Sequence, residues 1–244
     1  MRGAPLLILA LSLLTALAVS AFGAPSDFTA AARNYEMSQY PEALDGWRQS
    51  AGNAVSPSLL HNFGNAEFKL GHLGEAIAAW ERAHALDPWN RNTIANLRFA
   101  RGEAGLETPT LSWYEIYSSW MPPDDWLWLA TVTFWSGLAC MFLPSLLKLR
   151  RTAGTQAGAV IAISIFILTL PALAGIATRN ALGVVIAPET SLRLTPTQEA
   201  EVLGHLPAGE IARIEIVRGD YLYVRGEADR AGWVQRDEFT RLWE

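Results

Sequence analysis

Cysteine is almost missing: Cys140 is the only one in 244 residues, so an internal disulfide is excluded. Histidine is sparse too, and His61, His72, His84 and His205 include no pair at i, i+4, so there is no metal-binding pair on a helix. Charged residues make up 18% of the chain, the net charge is −5, and the densest basic cluster is the short group Lys148, Arg150 and Arg151. Holding a phosphate backbone takes a stronger positive field, so nucleic acid is not an expected partner. The chain has no Gly-x-Ser-x-Gly elbow and no glycine-rich phosphate loop, and the sole cysteine falls in an apolar stretch. No enzymatic activity and no cofactor is therefore expected. What the chain has in excess is apolar residues, 50% of the total. With a mean hydropathy of +0.14, it is more apolar than an ordinary soluble domain, which points to membrane segments.

Three stretches fit that expectation. Arg2 precedes an apolar run from Leu6 to Val19 and then small residues, the pattern of a secretory signal peptide over residues 1–23. Cleavage would follow Gly23 or Ala21, and an uncleaved anchor would give the same topology. Trp126–Leu147 and Thr152–Thr178 lack charge altogether, and spans are expected at 126–147 and 156–178. The loop between them, 148–151, carries Lys148, Arg150 and Arg151, whereas no Lys or Arg lies between Arg101 and Lys148. The positive-inside rule then puts the loop in the cytoplasm and both flanking domains on the extracytoplasmic side. Trp113, Tyr114, Tyr117, Trp120, Trp126 and Trp128 cluster in and just after a juxtamembrane segment, 106–125, and are expected at the headgroup layer. Asp124 and Asp125 read as interfacial charges rather than an acid/base pair. Pro171 is expected to kink the second span, and Gly154 and Gly158 could pack the spans together.

Residues 25–105 show helical apolar spacing and an internal repeat. The run Ser58-Leu59-Leu60-His61-Asn62-Phe63-Gly64-Asn65-Ala66-Glu67-Phe68, then Glu75-Ala76-Ile77-Ala78-Ala79-Trp80-Glu81-Arg82-Ala83 and Asp87-Pro88, resembles a tetratricopeptide repeat over its full length. A degenerate copy places Ala43 and Trp47 at 33 residues before Ala76 and Trp80. Asn92–Arg101 reads as a capping helix. Two repeats and a cap are few for a solenoid, so support from a membrane surface or a partner is expected. The resemblance implies a concave face carrying His61, Asn65, Phe68 and Lys69, with Asn96 and Phe99 from the cap. Asn65 and Asn96 fit the pattern with which some relatives clasp a peptide carboxylate, but His61 stands where Lys is usual and the second basic pair is absent. The plainer alternative is that both Asn are repeat-consensus residues whose side chains bond backbone.

From residue 183 the pattern changes to short β runs, Val184–Ile186, Ile211–Val217, Tyr221–Val224 and Trp233–Val234, separated by turn signals, which suggests a small barrel over 183–244. Leu192-Arg193, Gly219-Asp220-Tyr221 and Gly232-Trp233-Val234 resemble a bacterial SH3 domain in order and spacing. Such domains commonly bind cell-wall peptides or proteins. Tyr221 and Trp233 are expected in the barrel core and Tyr223 on the surface, as the binding candidate.

The fold class expected is therefore a multidomain membrane protein: a helical tetratricopeptide solenoid, two transmembrane helices and a small all-β SH3-like barrel. That order of modules resembles BatE of the Bacteroides aerotolerance (Bat) proteins. The resemblance implies an inner-membrane, noncatalytic scaffold acting with a MoxR-type ATPase and von Willebrand factor A-domain membrane proteins in envelope stress tolerance or complex maturation. The alternative is a membrane-anchored module that binds or senses peptidoglycan.

Overall fold

The computed structural model describes residues 26–51, 55–148, 150 and 152–243. The expected signal peptide, residues 1–23, and Arg151 lie outside them. The chain divides into two compact units, Met1–Val55 and Ser56–Glu244. This boundary falls inside the segment expected to form a single repeat domain, so each unit is described by itself.

The first unit holds α1 (Ser26–Glu36) and α2 (Tyr40–Ala51). Ala31, Ala43, Leu44 and Trp47 are buried between the two helices. The helices approach closely because Gly46 has no side chain: a Cβ there would lie 2.9 Å from the Ala31 Cβ. Tyr35 packs its ring against both Tyr40 and Trp47, with centroids 5.3 and 5.9 Å away.

The second unit begins with α3 (Pro57–Lys69), α4 (Leu73–Leu86) and α5 (Arg91–Ala104). Each start is set by local chemistry. Ser56 caps α3 by accepting the Leu59 N–H at 3.2 Å, with Pro57 supplying a preset φ in the first turn. Asn90 caps α5 by accepting the N–H groups of Asn92 and Thr93, and Gly105 closes it at φ +65°. Between α3 and α4, Gly64 leaves the space that the Trp80 ring occupies.

After the short α6 (Trp113–Ser118) come two long apolar helices, α7 (Pro123–Leu146) and α8 (Ala153–Arg179). At 24 and 27 residues with mean hydropathies of 1.5 and 2.5, both are long and apolar enough to cross a membrane. Pro123 starts α7 rather than breaking it, and Pro144 and Pro171 lie inside the two helices. The helices pack as an antiparallel pair. Gly137 faces Ala162 and Ile163, Gly158 faces the Cys140 Sγ, and Phe134 meets Phe166 with centroids 5.2 Å apart. Of the two expected packing glycines only Gly158 meets the other helix, since Gly154 has near it only the cap residue Thr152.

A seven-stranded antiparallel sheet follows: β1 (Leu182–Val185), β2 (Glu189–Arg193), β3 (Val202–Pro207), β4 (Ile211–Arg218), β5 (Tyr221–Arg225), β6 (Ala231–Gln235) and β7 (Phe239–Arg241), in the order β3-β2-β6-β5-β4-β1-β7. Every strand contributes to one core, which contains Val185, Leu192, Leu206, Ile214, Val224, Val234 and Phe239. Strand β1 is buried on both faces. Val185 joins the sheet core, while Leu182 and Val184 join a second core with Ala76, Ile77, Trp80 and Leu97 of the helices, Ile211 of β4 and Leu242 just after β7. The helices α3–α5 and the sheet therefore share buried apolar surface, and the support expected from a membrane or partner is supplied by the chain's own sheet.

Candidate interaction surfaces

The polar residues expected on an open groove are engaged within the fold. His61 Nδ1 is hydrogen-bonded to the Thr93 hydroxyl at 2.9 Å. The Trp80 indole N–H donates to the His61 carbonyl and to Asn65 Oδ1, both at 3.2 Å, and Asn96 Nδ2 donates to the same Asn65 oxygen at 2.7 Å. His61, Asn65 and Asn96 thus tie α3, α4 and α5 together, and the two Asn side chains bond the Trp80 indole and each other rather than the backbone that the plainer alternative expects. Burial holds His61 below its ordinary pKa and favours the neutral ring. Lys69 is exposed. Phe68 is half-buried, 5.6 Å from Trp80 and 6.0 Å from Phe99 by ring centroids, and Phe99 itself is 57% exposed. Beside them a cavity of about 280 Å³ opens between Phe68, Gly71, Leu73, Ala100, Glu103 and Ala104. Of the expected groove, Lys69 and Phe99 are left exposed, with Phe68 half-buried beside Phe99.

On the sheet, Leu222 and Val224 point into the core, while Tyr221, Tyr223 and Trp233 are all half-buried on the opposite face. The expectation that Tyr221 and Tyr223 point opposite ways is corrected: residues two apart on a strand share a face. Trp233, expected in the core, sits directly across from Tyr223, and their rings meet edge to face at 5.4 Å. Gln198, Asp220, Tyr221, Gln235, Arg236 and Asp237 line a cavity of about 470 Å³.

A third cluster was not expected from sequence. Glu115, fully buried on α6, accepts the Ser112 N–H at 2.8 Å and pairs with Arg213 of β4 at 2.8 Å. Arg213 also donates to the Thr178 carbonyl at 2.9 Å, and Arg179 donates to the Ser118 hydroxyl at 3.3 Å while lying over the Trp243 ring. Helix α6 lies so close to α8 that a Cβ on Gly175 would collide with the Tyr114 carbonyl and Ser118. Trp126 is buried within the protein and donates to the Ser118 carbonyl at 3.0 Å, whereas Trp113, Trp120 and Trp128 are exposed. The sequence signal for this cluster was Ser112-x-x-Glu115, a capping-box spacing. Nothing local marked Arg213 as its partner 98 residues away.

Among the described residues, no group of three or more His, Cys, Asp or Glu side chains is placed to hold a metal ion. Compared with family models, curated proteins and solved structures, the chain matches none.

Proposed function

We propose that the protein is a noncatalytic membrane scaffold. The observation that carries this reading is the single body formed by α3–α5, the outer end of α8 and the sheet. A shared core and the Glu115–Arg213 pair join these elements, and two surfaces, around Phe68 and around Tyr223, remain open. In this reading α7 and α8 span an inner membrane with Lys148, Arg150 and Arg151 in the cytoplasm. The helical stack is tetratricopeptide-like, the sheet is SH3-like, and both are periplasmic. The module order supports a Bat-type role beside von Willebrand factor A-domain and MoxR-system proteins. The loop 148–151 is too short to form a cytoplasmic domain, so coupling to a cytoplasmic ATPase would pass through partner proteins.

The Tyr221, Tyr223 and Trp233 face beside its cavity favours a second reading, a peptidoglycan-binding module. Co-purification of membrane proteins with the full chain separates the two when combined with sedimentation on purified peptidoglycan. Loss of partners in a Lys69→Ala, Phe99→Ala double variant, with Tyr223→Ala unaffected, is the outcome expected of the scaffold. Loss of wall binding in Tyr223→Ala alone would favour the second reading. Retention of every partner by both variants would refute both surface assignments.

A further inference from the structure

Helix α4 can be followed by its contacts. Near its start, Gly74 lies against the Val185 carbonyl and Ile186, at the far end of β1. Two turns on, Arg82 donates to the Thr240 hydroxyl and the Arg241 carbonyl, and these residues pair with Val184 and Gly183. Beside Arg82 and just beyond it, Glu81 and His84 lie within electrostatic reach of Arg179, the last residue of α8. The helix therefore runs back along the path from Ile186 to Arg179, toward the end of the apolar hairpin. Its last residue is Leu86, so the next turn, Asp87–Asn90, lies at that end.

This turn is hydrogen-bonded to both flanking helices and carries an outward aromatic. The Asp87 N–H donates to the Ala83 carbonyl at 2.9 Å, the Asn90 N–H to the Asp87 carbonyl at 3.3 Å, and the Asn90 side chain caps α5. Pro88 is buried, and Trp89 is 75% exposed, held away from both cores. Arg91, the next side chain along, is exposed. An indole with an adjacent guanidinium suits a layer that is apolar on one side and lined by phosphates on the other.

We infer that the Trp89 turn, with Arg91, is a membrane contact set into the headgroup layer at the Arg179 end of α8, so that the helical stack is held to the bilayer at its own tip as well as through the hairpin. This rests on the reading of α7 and α8 as spans. It can be tested on the unaltered full chain, one copy per phospholipid nanodisc, by hydroxyl-radical footprinting read by mass spectrometry. Met37, 61% exposed, reports an aqueous side chain, and Met141, 51% exposed on α7, reports the span. The expected result is rapid oxidation of Met37, protection of Met141, and protection of Trp89 despite its exposure within the protein. A lipid carrying a photoactivatable group at its headgroup should also crosslink to the peptide containing Trp89 and Arg91. Oxidation of Trp89 at the Met37 rate with Met141 protected would overturn the inference alone. Protection of Trp89 without a lipid adduct would also overturn it, by assigning the surface to protein. Oxidation of Met141 as well would overturn the spanning reading and the inference with it.

Discussion

Glu115 is fully buried, and burial by itself would raise the pKa of its carboxyl group. The Ser112 N–H and the Arg213 guanidinium outweigh that effect and hold it below the usual carboxylate range. Since the folded value lies below the unfolded one, its stabilisation is complete at neutral pH and is lost as pH falls through the folded value. Replacing Arg213 with Leu leaves the carboxylate buried without its cation, and a loss of about 3 kcal/mol is expected in thermal or denaturant unfolding. His84 behaves as a second acid-sensitive group. Its pKa is lowered by burial, with Arg179 and Arg101 adding to the effect and Glu81 and Asp87 opposing it, and its Nδ1 is buried without a hydrogen-bond partner. The unfolded chain takes up this proton near pH ~6.5, before the folded one does, so stability should fall below that pH. His84→Leu should flatten the melting temperature between neutral pH and mildly acidic pH; an unchanged slope would refute the role. At this scale the sequence was legible for which residues are polar and near the repeat face. It was not legible for what their atoms bond, because Asn65 finds Trp80 and Asn96 only after three helices pack.

Among the elements, glycine positions separate helices that must touch backbone from helices that need not. A Cβ on Gly74 would meet the Val185 carbonyl and lie 2.6 Å from the Ile186 Cα, and backbone cannot swing aside as a side chain tip can. Gly74→Val should therefore cost at least ~1–3 kcal/mol by forcing α4 off β1. Gly102 has nothing within 4 Å and lies inside α5, so Gly102→Ala should stabilise by ~0.5–1 kcal/mol. Paired chemical denaturation of the two variants checks both signs. Helices α3–α5, α7 and α8 were readable from period, caps and apolar length. Strands β2, β3 and β7 were not read as strand runs. Phe239–Arg241 is three residues long, and Glu189–Arg193 has Leu192 as its one apolar residue, so pairing with neighbours rather than local pattern makes them strands.

At the level of the molecule, topology is the property open to direct test. A reporter active only in the cytoplasm should work when fused after Arg151 and fail after Arg101 or at the C-terminus, and neutralising Lys148, Arg150 and Arg151 together should give mixed orientation. Cytoplasmic activity at the C-terminus would overturn the arrangement. The order of a helical region, two long apolar helices and a β region was determined by the sequence alone, because hydrophobic period and run length are local properties. That α3–α5 and the sheet share one core was decided only in three dimensions. So was the meeting of Glu115 with Arg213, and so was the return of α4 toward the end of α8. Each depends on residues roughly a hundred or more positions apart, and no local pattern encodes which distant surface will cover an apolar face or neutralise a buried charge.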